Sequence, residues 1–214
     1  MRTQILRSRK SGAFLTKWGK NSKMNKRDKT KKDMKIILGL AGEIASGKGA
    51  VAEYLAKRHG SNFYRFSGIL RDMAKRAHLE ESRENLQKIS TMFREYFGSD
   101  ILAKIIFLDV KSDEHEIITI DGVRRLEDVE FLKKLPGFKL VYIEADLQKR
   151  YERLIKRREN SDDATKTFED FKKDLEREAE LEIKKLKEMA DVVIENNGAQ
   201  EELYAQVDKI INKN

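Results

Sequence analysis

The chain has 214 residues, of which 38% are charged and 39% apolar, with a formal net charge of +8 and no cysteine. That length suits one sizeable domain with a buried core. The missing cysteines exclude a disulfide framework and a thiolate metal site, and no apolar run approaches the roughly 20 residues of a membrane span, so a cytoplasmic location is expected.

The charge is unevenly placed. Residues 1–35 hold 13 Lys/Arg and 2 Asp, a balance of +11, whereas residues 36–214 hold 32 Lys/Arg and 35 Asp/Glu, a balance of −3. The basic character belongs to a tail, so the isoelectric point gives no argument for a body that binds nucleic acid. Residues 1–34 lack sustained periodicity and read as a flexible basic tail. Three origins fit it. It is an extension or an upstream start, with Met24 and Met34 as later starts; an organelle-targeting segment, since the first 27 residues carry no acid; or a tether to RNA or a ribosomal particle. Trp18 falls in this tail and outside the expected core.

From Lys35 the pattern changes. "KIILGL" reads as a buried strand, and "KGAVAEYLAKRHG" as a helix with Val51 and Leu55 on one face and Gly60 as its stop. "NFYRF" is a short strand. Three helices follow: "SGILRDMAKRAHLE", capped by Ser67, then "SRENLQKISTMFREYFG" and "SDILAKIIFLDVKS". "HEIITI" is a strand that ends at Asp121, "RRLEDVEFLKKL" a helix ended by Pro136-Gly137, and "FKLVYIEA" a strand. "DLQKRYERLIKRRE" is a basic helix, residues 167–190 one long helix with a solvated, charged face, "DVVIEN" a last strand and "AQEELYAQVDKIIN" a last helix. Five strand–helix alternations predict an α/β domain over 35–214, three layers (α/β/α) around a five-stranded parallel sheet, with its ligand at the carboxyl ends of the strands. Acceptor-binding helices are expected at about 67–112 and an arginine-rich lid at about 146–166.

The segment "GEIASGKGA" carries the chemistry. Gly42-x-x-x-x-Gly47-Lys48 lies between a strand and a helix, the setting a phosphate-binding loop requires. Backbone N–H groups of Glu43, Ile44, Ala45, Ser46, Gly47, Lys48 and Gly49 can wrap a phosphate, and the following helix aims its positive end at it. Lys48 reaches the β and γ phosphates. Gly49 stands where such loops often place a Mg²⁺-touching hydroxyl. Asp121, delivered by an apolar strand, fits an acid that orients Mg²⁺ and its waters. Arg150, Arg153 and Arg157 recur three and four residues apart and so share a helix face, a row that folding does not call for and that suits a lid over a triphosphate.

"GEIASGKGAVAE" resembles the loop of nucleoside monophosphate kinases of the adenylate kinase type, which also read Gly-Lys-Gly, and "GKGA" resembles small P-loop kinases related to dephospho-CoA kinase. The resemblance covers about residues 35–214. It implies ATP as cofactor, with Mg²⁺ held largely through water and phosphate oxygens. Ala50 replaces the threonine of the adenylate kinases. "FSGILRDMAKRA" is similar to their Thr-Gly-Asp-x-x-Arg, which places Ser67 and Arg71 at the acceptor and Gly68 where an aspartate is usual. "DGVRR" is similar to their Asp-Gly-Phe-Pro-Arg, whose arginine aligns with Arg125, whereas the dephospho-CoA kinase-related group places it at Arg124; the resemblance implies that one of the two grips the acceptor. Arg153, Arg157, Asp162 and Asp163 are similar to their lid, and "IENNGAQEEL" to their adenine-side loop. Dephospho-CoA kinases place an acid after the second strand to take a proton from a hydroxyl, whereas "NFYRFSGILR" holds no acid before Asp72. The expectation is therefore transfer of the ATP γ-phosphoryl group to a phosphorylated small molecule, most simply a nucleoside monophosphate. Two alternatives stand beside it: a dephospho-CoA kinase-like enzyme using Asp72 or Asp121 as base, and an NTPase tethered to RNA or a ribosome by the basic tail.

Overall fold

The computed structural model describes residues 35–157, 165–176 and 178–212. The tail, Arg158, Asp162 and Asp163 lie outside the described residues. The chain order is β1 (Ile36–Ala41), α1 (Lys48–His59), β2 (Asn62–Arg65), α2 (Phe66–Arg76), α3 (Arg83–Phe97), α4 (Ile101–Ser112), β3 (Ile117–Asp121), α5 (Leu126–Leu132), β4 (Phe138–Glu144), α6 (Leu147–Arg157), α7 (Phe168–Leu175), α8 (Glu178–Lys185), β5 (Val192–Glu195) and α9 (Gln200–Asn212).

The five expected strands form one all-parallel sheet in the order β2-β3-β1-β4-β5. The phosphate-loop strand thus sits at the centre. Strand side chains alternate between two cores, as a sheet covered on both faces demands. Ile37, Ala41, Ile118, Ile120, Leu140 and Tyr142 face α2 to α5 and α8, whereas Leu38, Leu40, Val141, Ile143 and Ile194 face α1 and α9. A third, smaller core joins Ala45 of the loop to Leu154 of α6 and to Phe171 and Leu175 of α7.

Four local expectations need correction. Phe66 begins α2 and does not end the strand before it. The N-cap of that helix is Arg65, without a side-chain cap bond, and Ser67 lies inside the first turn. No loop separates β2 from α2, so the cap position falls on the last strand residue, and Ser67 is too late to serve it. The helix expected over "RRLEDVEFLKKL" is confined to α5, with Arg125 at its N-cap. The long helix expected over 167–190 is α7 and α8 followed by turns. It is also less solvated than its composition suggested, because Phe171, Leu175, Ile183 and Leu186 are buried. Where a true helix N-cap occurs, its chemistry is the expected one: Ser82 and Thr167 accept the amides of Asn85 and Asp170.

Candidate active site

The loop after β1 is shaped by backbone that few residues tolerate. Gly42, Ala45 and Gly47 have φ of 142°, 59° and 115°. A Cβ on Gly42 would strike the Ile143 carbonyl of β4, and one on Gly47 the side-chain amide of Asn196. Only glycine fits either place. Ala45 accepts its left-handed backbone as part of the third core, 8% exposed. Glu43 closes the turn by accepting the Ser46 amide at 3.2 Å, and Gly47 caps α1, its carbonyl accepting from Val51. Lys48 begins α1, and its Nζ donates to the carbonyls of Gly42 at 2.6 Å and Glu43 at 2.9 Å, so the ammonium lies over the loop. Gly49 is exposed, and a Cβ there would meet nothing within 4 Å. The neighbouring Ala50 packs against the core shared by α1 and α9.

Asp121 closes β3 level with Leu40 of β1, two residues before Gly42, on the face that carries α1. Its Oδ2 accepts from Arg65 Nε at 2.9 Å, while Oδ1 is buried without a hydrogen-bond partner. A buried carboxylate oxygen left unsatisfied is costly, and it is the kind of acceptor that a metal-bound water or a cation completes. Mg²⁺ held through water therefore fits at Asp121. The open space at Gly49 agrees with a metal contact that needs no side-chain hydroxyl.

The helix α6, expected from the sequence to belong to a lid, does not present an unengaged arginine row. Arg150 is 5% exposed and pairs with Glu43 at 3.2 Å, and its Nε donates to the Ala145 carbonyl at 3.1 Å. This arginine is needed by the fold, contrary to the reading of the row as dispensable, because it anchors α6 to the loop. Arg153 donates to the Asn196 carbonyl at 2.8 Å and Oδ1 at 3.3 Å, and its Nη1 is buried without a partner. Arg157 is exposed at the end of α6.

Asn196 follows β5 and was not singled out by its sequence. It is 6% exposed, and its Nδ2 donates to the Ser46 carbonyl at 2.8 Å. One residue thus links the loop to α6. Its neighbour Asn197 accepts the Asp146 amide at 2.8 Å, which ties the turn after β5 to the start of the same helix. The only signal in the sequence was its place before Asn197-Gly198.

The expected acceptor residues are spread out. Arg71 is exposed and donates to Glu81 at 3.2 Å, and Ser67 and Gly68 are half-buried in the first turn of α2. Arg124 is exposed on the segment after β3, and Arg125 is half-buried at the start of α5. Asp72 is exposed on α2. The residue beside Asp121 is Arg65, which the sequence reading passed over.

Comparisons with known proteins agree with this architecture. Residues 39–172 match the AAA-domain family. The chain is 35% identical over 185 residues to a UPF0200/UPF0201 protein of Archaeoglobus fulgidus, matching 85% of this chain but only 56% of that longer protein. It is 31% identical over 179 residues to a UPF0200 protein of Hyperthermus butylicus, matching 84% of this chain and 95% of the relative. Among solved structures, a shikimate kinase from Bacteroides thetaiotaomicron superimposes with a TM-score of 0.56 at 13% identity, over 83% of this chain and 97% of that one. A Thermus thermophilus protein gives a TM-score of 0.56 at 14% identity, over 84% and 98%. At such identities the likeness is one of fold.

Proposed function

Because the chain belongs to the AAA-domain family and has the P-loop kinase fold, we propose that it is an ATP-dependent small-molecule kinase whose acceptor already carries a phosphate, most simply a nucleoside monophosphate. The observation that carries this reading is the placement of the Lys48 loop and Asp121 at the carboxyl ends of two neighbouring strands, with one oxygen of Asp121 unsatisfied. On ATP binding, Lys48 Nζ exchanges the Gly42 and Glu43 carbonyls for phosphoryl oxygens. The loop amides from Glu43 to Gly49 and the start of α1, at Ala50, surround the phosphates. Asp121 Oδ1 would hold Mg²⁺ through water, and the ion would supply neutralisation of phosphate charge. Arg153, with Nη1 in reserve, and Arg157 supply positive charge as the γ-phosphoryl group moves.

The acceptor choice rests on what the cleft offers. A hydroxyl nucleophile benefits from a positioned base, and the two carboxylates considered for that task are poorly suited. Asp72 is exposed on α2, and Asp121 Oδ2 is held by Arg65. A phosphate is already ionised near neutral pH and needs cations, which Arg124 and Arg125 offer after β3. The test is a panel of AMP, CMP, GMP, UMP and dephospho-CoA with ATP and Mg²⁺. At least one monophosphate is expected to be phosphorylated, and Lys48→Ala should abolish turnover with an unchanged circular dichroism spectrum. Phosphorylation of dephospho-CoA but of no monophosphate overturns the acceptor assignment. Undiminished turnover in Lys48→Ala overturns the site.

A further inference from the structure

Arg65 is a charged residue at the last position of an edge strand, half-buried and beside the carboxylate just described. Two neighbours fix its guanidinium. Asp121 Oδ2 takes Nε at 2.9 Å, and the ring of Phe63, two residues earlier on the same face, lies 5.2 Å from Cζ. Phe63 is itself 38% exposed, an aromatic that the core does not use on that strand. Among the described residues, neither terminal nitrogen of Arg65 has a hydrogen-bond partner, and the side chain remains 38% exposed.

An arginine held through Nε and stacked on an aromatic ring loses little further freedom when its Nη edge binds an oxyanion. That edge lies where β2 passes directly into α2, at the carboxyl end of the sheet and next to Asp121. The arginine expected from sequence to hold the acceptor, Arg71, is instead exposed and paired with Glu81. We propose that Arg65 is the acceptor's phosphate-binding group, a specificity-determining residue that selects a phosphomonoester over a neutral acceptor; this rests on the kinase reading above. Asp121 then has divided duties: Oδ2 aims the arginine at the acceptor, and Oδ1 serves the donor side. Phe63 is the prop that keeps the fork oriented.

The experiment is steady-state kinetics of the full chain with AMP, CMP, GMP and UMP varied singly at saturating ATP, for wild type, Arg65→Gln and Arg65→Lys. The lysine variant keeps a cation beside Asp121 and guards against loss of folding in the glutamine variant; thermal melts check both. The expected result is a rise in acceptor KM of roughly 10- to 100-fold for Arg65→Gln, the worth of a charge-assisted hydrogen bond. Arg65→Lys should lose most of this, because a point charge does not replace a fork. ATP KM should stay within about twofold of wild type, a split that a merely structural role would not produce. If the wild type uses a monophosphate and its acceptor KM is unchanged in both variants, or ATP KM rises equally, Arg65 is not the acceptor group and the kinase reading stands. If the wild type uses no monophosphate, the reading of a phosphorylated acceptor falls and takes this assignment with it.

Discussion

The contact between Gly47 and Asn196 makes a quantitative prediction. A methyl group added at Gly47 points into the Asn196 amide, and the backbone there has φ of 115°. Gly47→Ala therefore combines backbone strain of about 1–3 kcal/mol with overpacking of about 1–3 kcal/mol, a total of about 2–6 kcal/mol. Asn196→Ala removes the buried bond to the Ser46 carbonyl and should cost about 1–3 kcal/mol. In the double variant the methyl enters the space that the amide has left, so only the backbone strain is added to the loss at Asn196. The double variant should accordingly be more stable than the sum of the single changes by about 1–3 kcal/mol. Equilibrium urea unfolding of the four proteins measures this coupling. Additivity to within about 0.5 kcal/mol would show that the two residues do not meet and would refute the account of how the loop is held.

Two further predictions concern parts of the domain away from the loop. Asp128, 1% exposed in its side chain, accepts from both terminal nitrogens of Arg94 at 3.1–3.2 Å and joins α5 to α3. Asp128→Ala leaves the largely buried Arg94 guanidinium with only the Ser99 carbonyl and should cost about 3–5 kcal/mol in denaturant unfolding, whereas a loss below about 1 kcal/mol would argue against the pairing. Beside the amino end of β2, burial opposes the charge of Asp113. Hydrogen bonds from the His115 amide, the Asn62 amide, the His115 ring and the Tyr64 hydroxyl outweigh it and hold the carboxyl well below the usual carboxylate range. A depressed native pKa gives stability that is complete above the unfolded value of about 3.9 and is lost as pH falls through the native value. Asp113→Asn should therefore cost roughly 1 kcal/mol more at pH 7 than at pH 3, and equal unfolding shifts at the two pH values would refute this.

What was legible in the sequence follows from the range of the forces involved. Strand and helix types are set by local periodicity, and "KIILGL", "HEIITI" and "FKLVYIEA" are apolar enough to be read as buried strands without their partners. Gly60 as the stop of α1 is equally local, a left-handed cap at φ 64°. Register is not local. Nothing near Arg65 indicates that it lies level with Asp121, 56 residues later, and nothing near Glu43 indicates that Arg150 closes on it. Spacing on α6 did place Arg150, Arg153 and Arg157 together, but it could not tell which of them would be buried. The split of residues 167–190 into two helices was hidden for a similar reason, since a high charge content masks the few apolar anchors that tertiary packing selects. Ser67 was misread because the cap rule assumes a connecting turn, and here strand and helix abut.

The bond from Asn196 to Ser46 spans 150 residues, and this separation has a consequence for the order of synthesis. During translation the phosphate loop emerges early, with its neighbouring strand β3 still to come, and its fastening residue leaves the ribosome only after the last strand. The Ser46 carbonyl gains this partner only once the chain has passed β5, so the loop that is made first is fastened among the last.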